Sequence, residues 1–336
     1  MSGEVPPGSP GPQGSPGPSG GLVVVGDVVT DVVALHRGPL APHTDTAARI
    51  RVLPGGAGAN AAAWAAWSLV DAGTTGRAGG GTAAGEVRLL GRVGADSAGW
   101  HREALEAAGV RTRLTVDPQL PTAVVIALVD EDAERTFLTD SGACAALGPQ
   151  DWDESLLDGA ARLHLSGYLY FSDPGRRLAA LATAAAHRRG LPVSADPAST
   201  GFIERLGADA FRRALGDRIG LLLPNLAEAR LLSGRQDPVE AAERLSAEYG
   251  EAVVKLGPAG ALAARDGRLL AKVPAVPVTP VDTTGAGDAF TGGYLAAALT
   301  GADPATAAEA GCRTGAHATT LLGGRPPRSG PAPAGS

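Results

Sequence analysis

Residues 281–299, VDTTGAGDAFTGGYLAAAL, place two carboxylates, Asp282 and Asp288, on either side of a loop of small residues. The apolar run after the loop predicts a helix that begins near Asp288. N–H groups at a helix start lack intrahelical partners, and the helix dipole adds positive potential there. Small side chains let an anion approach the backbone closely. The pattern therefore predicts a site for a phosphate or a developing oxyanion, formed by Gly285, Ala286 and Gly287.

Asp288 is the residue of this loop whose chemistry is open to two interpretations. An acid in the first turn of a helix complements the helix dipole, which is a structural role. Beside an anion site, the same carboxylate could take a proton from a hydroxyl group that attacks a phosphate. Because the loop is already built to hold an anion, we favour the second interpretation.

The loop contains no lysine and no G-x-x-x-x-G-K-[ST] pattern, so phosphate charge has to be met elsewhere. The segment PNLAEA, residues 224–229, offers Asn225 at a strand end and Glu228 one helical turn later. Both side chains could hold water ligands of a Mg²⁺ ion, which prefers few protein ligands. The same spacing also fits a helix cap with no metal function.

A second glycine loop, residues 54–66, reads PGGAGANAAAWAA and contains a loose match to the dinucleotide pattern G-x-G-x-x-[GA]. A nicotinamide-dependent oxidoreductase is therefore an alternative. The loop does not directly follow the first clear strand, and no acidic residue ends a strand about twenty residues later, which weakens this alternative. Asn60 opens the following helix, where it could bond a ligand hydroxyl or cap the helix.

Apolar strand runs alternate with helix-like segments between residues 22 and 257. This alternation predicts an α/β fold whose mostly parallel central sheet carries helices on both faces. Ligands of such sheets lie at the carboxyl ends of the strands. These ends carry Asp27, Gly167, Asp196, Asn225 and Gly257. Residues 30–53 and 121–140 are strand-like without intervening helices, so we expect them to form a small separate sheet, a lid over the site.

Composition limits the function classes. The net charge of −6 gives no electrostatic support for a nucleic-acid partner, and no apolar run approaches the length of a membrane helix. Two cysteines make no disulfide framework, which favours a cytoplasmic protein. Residues 1–20 and 328–336 are rich in Pro, Gly and Ser and are expected to be disordered tails, with a flexible insertion at 71–85 and one domain over 21–327.

Several motifs together resemble the ribokinase/PfkB family of carbohydrate kinases. The two signature regions are GGAGANAA at 55–62 and DTTGAGDAFTGG at 282–293, and the second is the more specific. Three further segments occur in the order the family shows: GDVVTD at 26–31, PNLAE at 224–228 and VVKLGPAGAL at 253–262. The resemblance spans about residues 21–327.

This resemblance implies a ribokinase-like fold with a small β lid and transfer of the γ-phosphoryl group of ATP to a hydroxymethyl group of a sugar. It implies that Asp288 is the catalytic base and that Gly285, Ala286 and Gly287 form the anion hole. The implied sugar-binding residues are Asp31, Gly55, Gly56 and Asn60. The implied nucleotide-site residues are Asn225 and Glu228, which organise Mg²⁺ and phosphate, and Lys255, Gly257, Gly260 and His317, the last beside the adenine.

The family resemblance also implies a monovalent cation, K⁺, behind the anion hole. The matching residues are Asp282, Thr284 and the backbones of Ala318, Leu321 and Gly323. Pro327 stands where ribokinases often carry a serine near the cation, which puts potassium dependence in question. Members of this kind are often dimers through the lid, so a homodimer is also expected.

The substrate class stays open at this point. Asp31 and Asn60 suit the hydroxyl groups of a neutral ribose- or fructose-like sugar, which we favour. A sugar acid or a nucleoside is the alternative on the same fold, and Arg135 is the one cation we can place near the lid for an acid. A non-catalytic sugar sensor is a further alternative, against which the presence of Asp288 argues, because a sensor has no need of a base.

Overall fold

The structure is a computed structural model that describes residues 20–40, 42–71, 85–130 and 135–327. The predicted tails and the predicted insertion at 71–85 lie outside the described residues, apart from Gly20, Asp71 and Gly85 at their borders. Among the described residues, none of the helices has the length and apolar character that crossing a bilayer requires.

The described elements alternate along the chain as follows. The strands are β1 (Gly21–Val25), β2 (Val29–His36), β3 (Ala48–Gly55), β4 (Val87–Gly94), β5 (Val110–Asp117), β6 (Ala123–Val129), β7 (Arg135–Asp140), β8 (Ala160–Ser166), β9 (Val193–Asp196), β10 (Leu221–Leu222), β11 (Glu251–Lys255), β12 (Ala261–Arg265) and β13 (Arg268–Val273). The helices are α1 (Ala57–Asp71), α2 (Ala98–Ala107), α3 (Asp173–Arg188), α4 (Thr200–Leu206), α5 (Ala208–Leu215), α6 (Leu226–Ser233), α7 (Pro238–Tyr249), α8 (Ala286–Leu299) and α9 (Pro304–Thr319).

The large sheet of the described chain has the strand order β13-β12-β11-β10-β9-β8-β1-β4-β5. All pairs from β11 to β5 are parallel, and only β12 and β13 are added in antiparallel fashion at one edge. The central strand β1, GLVVV, is buried along its whole length. Such a continuous apolar strand is typical of a parallel sheet that is covered on both faces.

Successive side chains of β1 point into two separate cores. Leu22 and Val24 pack in the core that α1, α2, α8 and α9 cover. Val23 and Val25 pack in the core that α3 to α7 cover. This separation follows from the two-residue period of a strand. The predicted fold class, a mostly parallel sheet with helices on both faces and a separate small sheet, is therefore confirmed.

The second sheet has four strands in the order β3-β2-β6-β7. Its strands fall in the segments 30–53 and 121–140 from which the sequence predicted a small sheet. Strands β6 and β7 form an antiparallel pair, with Val129 opposite Arg135. Ile50, Val52 and Leu138 are more than half exposed, so this sheet is not buried on both faces.

One element differs from the expectation based on sequence. The apolar run LVVVGDVV at residues 22–29 predicts one strand, but β1 ends at Val25 and β2 begins at Val29. The chain turns at Asp27, whose carboxylate accepts hydrogen bonds from the backbone of Ala57 and Gly58. Residues 101–110, HREALEAAGV, form a helix pattern that its glycine is expected to stop, and α2 ends at Ala107, just before Gly109 with its positive φ of 86°.

Candidate active site

A cavity of about 720 Å³ opens at the carboxyl ends of the central strands, beneath the small sheet. Its lining includes Asp31 of β2, Asn60 of α1 and Asp288 of α8. Phe137 and Thr139 of β7 line it from the small sheet. Three of the four residues predicted to hold a sugar, namely Asp31, Gly56 and Asn60, therefore share one cavity with Asp288, the predicted base, although they come from distant parts of the chain.

Asp288 lies in the first turn of α8 and accepts a hydrogen bond from Asn60. The distance from Asn60 Nδ2 to Asp288 Oδ2 is 2.9 Å. Burial raises the pKa of Asp288 to about 8, although the Asn60 hydrogen bond lowers it. Asp196 and Asp27 raise this pKa further, and Lys255 lowers it. A carboxyl group with a pKa near the working pH is suited to general-base catalysis.

The start of α8 leaves backbone donors available. Gly285 is the N-cap residue, and no side chain caps the helix there. Its φ of 72° is a left-handed conformation that favours glycine. A Cβ atom on Gly285 would lie 2.5 Å from the Cα of Gly324, so the loop is packed tightly from behind. The helix start thus has no side-chain acceptor at its cap, and the N–H of Ala286 donates to the carbonyl of Thr283 at 3.3 Å. Thr284, Gly285 and Asp288 of this loop line the cavity.

Asp282 joins the anion-hole loop to the segment after α9. Its Oδ1 accepts a hydrogen bond from the backbone of Thr284 at 2.9 Å, and its Oδ2 accepts one from the backbone of Gly323 at 3.0 Å. The backbone N–H groups of Val281 and Asp282 both donate to the carbonyl of Thr319. Asp282 is nearly buried and therefore supports the loop from behind rather than facing the cavity.

The Asp31 carboxylate of β2 lies against Gly55 of β3, two positions away from the Val29–Gly55 pair of the two strands. A side chain at Gly55 would collide with the Asp31 carboxylate, so glycine is the one residue that leaves this carboxylate in place. Burial, together with the charge of Asp27, raises the pKa of Asp31 to about 7, and Arg325 lowers it. Asp31 is therefore a carboxyl group that can accept or donate a hydrogen bond near neutral pH.

Lys255 ends β11 and points toward the anion-hole loop. Its Nζ lies 2.6 Å from Oδ2 of Asp196, and the Thr291 hydroxyl donates to the same Oδ2 at 2.8 Å. The nearest atom to a Cβ built on Gly287 would be this Nζ, at 3.7 Å. The ammonium group is nearly buried and has a raised pKa, because Asp196 and Glu228 outweigh the effect of burial. It therefore places a fixed positive charge beside residues 285–287.

Asn225 and Glu228 form a reciprocal helix cap at the start of α6. Asn225 Oδ1 accepts from the backbone of Glu228, while the Glu228 carboxylate accepts from the backbone and the side-chain amide of Asn225. Glu228 is 2% exposed, and burial together with Asp196 raises its pKa to about 7. The capping interpretation of this motif is thus present in the structure. The charges of Asp196 and Lys255 also act on the buried Glu228 carboxylate.

Gly257, Gly260, His317, Ala318 and Leu321 are not among the residues that line the cavity. Gly257 and Gly260 form the tight turn between β11 and β12, with φ angles of 59° and 93°. His317 stacks on Trp67 of α1 at 5.2 Å between ring centroids. Ala318 and Leu321 are joined by a backbone hydrogen bond at the end of α9. Gly56 lines the cavity with Asp31 and Asn60.

Three residues of the site were not predicted as such from the sequence. Asp27 anchors the first glycine loop and also accepts from the Ser166 hydroxyl at 2.7 Å. Arg325 reaches into the site from the segment after α9. Arg205 is the positively charged residue among the described residues that line the cavity, and its guanidinium lies over the Phe202 ring at 4.9 Å. The side chain of Arg135, the cation considered from the sequence, lies outside the described part.

The carboxylates around Lys255 fit a Mg²⁺ ion. Asp196, Glu228 and Asp288 face one lysine, so the cluster carries more negative than positive charge when ionised. Oxygen ligands and excess negative charge are what a hard divalent cation requires. Both Glu228 oxygens already accept hydrogen bonds from Asn225, which favours contact with the ion through water.

Comparisons with known proteins show the family of the chain. Residues 20–329 match the family described as pfkB family carbohydrate kinase. The chain is 32% identical to a fructokinase of Klebsiella pneumoniae, over 81% of this chain and 82% of that protein. It is 33% identical to an ATP-dependent ribose-1-phosphate kinase of Halopiger xanaduensis, over 80% and 82%. A solved structure from E. coli, described as ribokinase II in complex with ATP and Mg²⁺, superimposes with a TM-score of 0.75 at 26% identity, covering 91% of this chain and 94% of that one.

Proposed function

Because the chain belongs to the pfkB family of carbohydrate kinases, we propose that it transfers the γ-phosphoryl group of ATP to a hydroxymethyl group of a sugar, with Asp288 as the general base. It is an ATP-dependent carbohydrate kinase. The observation that carries the proposal is the position of Asp288, at an uncapped helix start and in one cavity with Asp31 and Asn60.

Asp288 takes the proton of the attacking hydroxyl group in this proposal. A sugar bound in the cavity would place its hydroxyl groups between Asp31, Asn60 and Asp288, which line it. The carboxylate, held by the Asn60 amide, accepts the proton at Oδ1 or Oδ2 as the oxygen bonds to the γ-phosphorus and the bond to ADP breaks. The raised pKa makes Asp288 a stronger base than an exposed aspartate.

The backbone amides of Gly285, Ala286 and Gly287 stabilise the charge of the transferred phosphoryl group. Preorganised donors of this kind cost no reorganisation when the charge develops. Lys255, which Asp196 and Thr291 hold in place, adds a positive charge that the loop itself lacks. Gly257 and Gly260 form a turn beside Lys255 at the nucleotide side, and His317 is the residue we expect nearest the adenine.

Metal ions have two candidate positions. Asn225 and Glu228 would hold Mg²⁺ through water, and the ion would neutralise charge on the phosphates of ATP. For K⁺, Asp282 supplies a carboxylate beside Thr284 and Gly323, and the carbonyls of Ala318 and Leu321 lie in the same segment. Pro327 supplies no side-chain oxygen, so this donor set fits K⁺ only in part.

A neutral ribose- or fructose-like sugar is the substrate we favour, because acids and amides around the cavity suit hydroxyl groups. A fructokinase is among the relatives. The second candidate is a sugar with an anionic group, and the position of Arg205 at the cavity wall favours it. A ribose-1-phosphate kinase is also among the relatives. We also expect the protein to be located in the cytoplasm. We expect it to form a homodimer through the small sheet.

A coupled assay of ADP release with Mg²⁺ tests the proposal across pentoses, hexoses, sugar acids, sugar phosphates and nucleosides, with K⁺ present or absent. Sugar-dependent ADP release that Asp288→Asn abolishes would support it. Arg205→Met, compared with the exposed Arg313→Met, distinguishes the two substrate classes. Loss of activity on anionic sugars alone would favour the second candidate. ATP binding without turnover on any member of the panel would count against the proposed reaction.

A further inference from the structure

Arg325 lies outside every motif of the sequence and yet contacts two residues of the sugar site. Its Nη2 donates to the carbonyl of Gly55 at 2.9 Å, and its Nε donates to Oδ1 of Asn60 at 3.4 Å. The adjacent Gly324 packs closely against the same amide, because a Cβ atom on Gly324 would collide with Nδ2 of Asn60. The guanidinium is thus fixed by Gly55 independently of the Asn60 contact.

We propose that Arg325 is a positioning residue that fixes the orientation of the Asn60 amide and, through it, the hydrogen bond to the catalytic base Asp288. This inference rests on the proposed role of Asp288. An arginine can only donate hydrogen bonds, so the amide has to present its oxygen to Arg325. Its NH₂ group then faces Asp288, as the 2.9 Å contact shows.

The reversed amide would face two unfavourable contacts at once. Its NH₂ group would meet the Arg325 donors, and its oxygen would meet the Asp288 carboxylate. Without Arg325, only the contact with Asp288 would select the orientation, and protonated Asp288 could donate to the amide oxygen instead. Arg325 therefore disfavours the protonated form of the base by keeping the amide oxygen engaged.

An arginine with only a structural role would destabilise the fold at this position. Burial lowers the pKa of Arg325 to about 10, and its Nη1 is buried and has no hydrogen-bond partner among the described residues. Buried donors without partners are uncommon and destabilising. The charge of Asp31 and then that of Asp27 favour the ionised guanidinium. Arg325 is thus a buried cation at a position where an apolar side chain could fill the same space.

The test is the pKa of Asp288, read in two ways on the full chain. NMR titration of the ¹³C-labelled carboxyl group, assigned with Asp288→Asn, reports it directly, and the acid limb of kcat/KM against pH reports it through activity. Arg325→Met should move both to higher pH by about one pH unit, the size expected when a hydrogen bond to an ionised group is lost. Arg313→Met, an exposed arginine on α9, should move neither. Arg325→Gln, which keeps N–H donors without the charge, should restore part of the shift.

Asn60→Ala separates this mechanism from a direct effect of charge. Asp27, Asp196 and Lys255 also influence the Asp288 carboxyl and are unchanged in these variants. In the Asn60→Ala background, Arg325→Met should have no further effect on the titration. An equal shift in that background, or no shift in the wild-type background, would overturn the proposal. Because the NMR titration needs no turnover, it remains decisive even if Asp288 proves not to be the base. Arg325→Lys covers the case in which Arg325→Met does not fold.

Discussion

The side-chain amide of Asn60 donates to the carboxylate of Asp288 at 2.9 Å, across 228 positions of sequence. Asn60 lies in the first turn of α1 and Asp288 in the first turn of α8, and the two helices pack side by side over the sheet. The contact brings the two glycine-rich motifs of the chain into one site. It also connects the residue expected to bind the sugar with the residue expected to take its proton.

Asp288→Asn should lower kcat by about 10²–10⁴-fold, the contribution of a positioned general base. ATP affinity should stay close to that of the wild type, because the amides of the loop remain. Calorimetric ATP binding and steady-state kinetics measure the two effects separately. Asp209→Asn, at an exposed carboxylate on α5, is the matched control. Near-normal turnover of Asp288→Asn would remove this residue from the mechanism.

The pH dependence of kcat/KM should show an acid limb controlled by Asp288. Burial raises the pKa of Asp288 to about 8, and the base acts in its ionised form. Activity should therefore rise as the pH increases toward about 8 and fall as the pH decreases below it. A profile that stays flat from pH 6 to pH 9 with rate-limiting chemistry would contradict a raised pKa at this site.

The contribution of Asp288 and Asp31 to the stability of the ligand-free protein should decrease as the pH rises from about 4 to about 8. Asp288 and Asp31 have folded-state pKa values of about 8 and about 7, above the value of about 4 for an unfolded aspartate. The folded state therefore binds more protons in this window, and its advantage is lost as they dissociate. Urea unfolding at several pH values measures the slope. Asp288→Asn should flatten it, and an unchanged slope would show that the group is not buried in its neutral form.

Lys255→Met should reduce kcat by about 10²–10³-fold, the effect of removing one preorganised donor from a developing negative charge. It also leaves Asp196 unpaired, so a loss of stability is expected as well. The double variant Lys255→Met/Asp196→Asn should recover stability but not kcat. Lys272→Met, at an exposed lysine, is the control. Recovery of kcat in the double variant would mean that Lys255 serves the fold alone.

Gly287→Val should abolish phosphoryl transfer while leaving the melting temperature close to that of the wild type. A Cβ at Gly287 meets only Lys255 Nζ, at 3.7 Å, so the fold has room for it, but a branched side chain would block the approach of the phosphate. Gly285→Ala is the contrast, because its Cβ would lie 2.5 Å from Gly324 in a left-handed conformation. That variant should lose stability. Normal activity of Gly287→Val would show that the loop is no anion hole.

Gly55→Ala should weaken sugar binding more than ATP binding. The added methyl group collides with the Asp31 carboxylate, which has to move. We expect KM for the sugar to rise by at least about 10-fold, because a displaced carboxylate loses about 1.4 kcal/mol or more of hydrogen bonding. Gly99→Ala, where a Cβ meets nothing within 4 Å, is the control. An unchanged sugar KM would exclude Asp31 from the sugar site.

The sequence by itself determined the features that depend on local spacing. The alternation of apolar strands and helices predicted the α/β sheet, because burial on both faces of a parallel strand requires a continuous apolar run. The small residues before Asp288 predicted a helix start without a side-chain cap. The spacing of Asn225 and Glu228 allowed either a magnesium site or a helix cap, and the structure shows the cap. These are contacts between residues a few positions apart, so composition and spacing suffice.

Only the tertiary structure decided which distant side chains meet. Arg325 reaches Asn60 across 265 positions, and Lys255 reaches Asp196 across 59. Nothing in the local sequence around Arg325 distinguishes it from a solvated arginine, since its direction is set by how the segment after α9 packs on α1. Lone charges acquire their roles from the partners that strand order and helix packing bring to them. That is why the glycine loop and the helix start near Asp288 could be predicted from spacing, whereas the contacts of Arg325 and Lys255 could not.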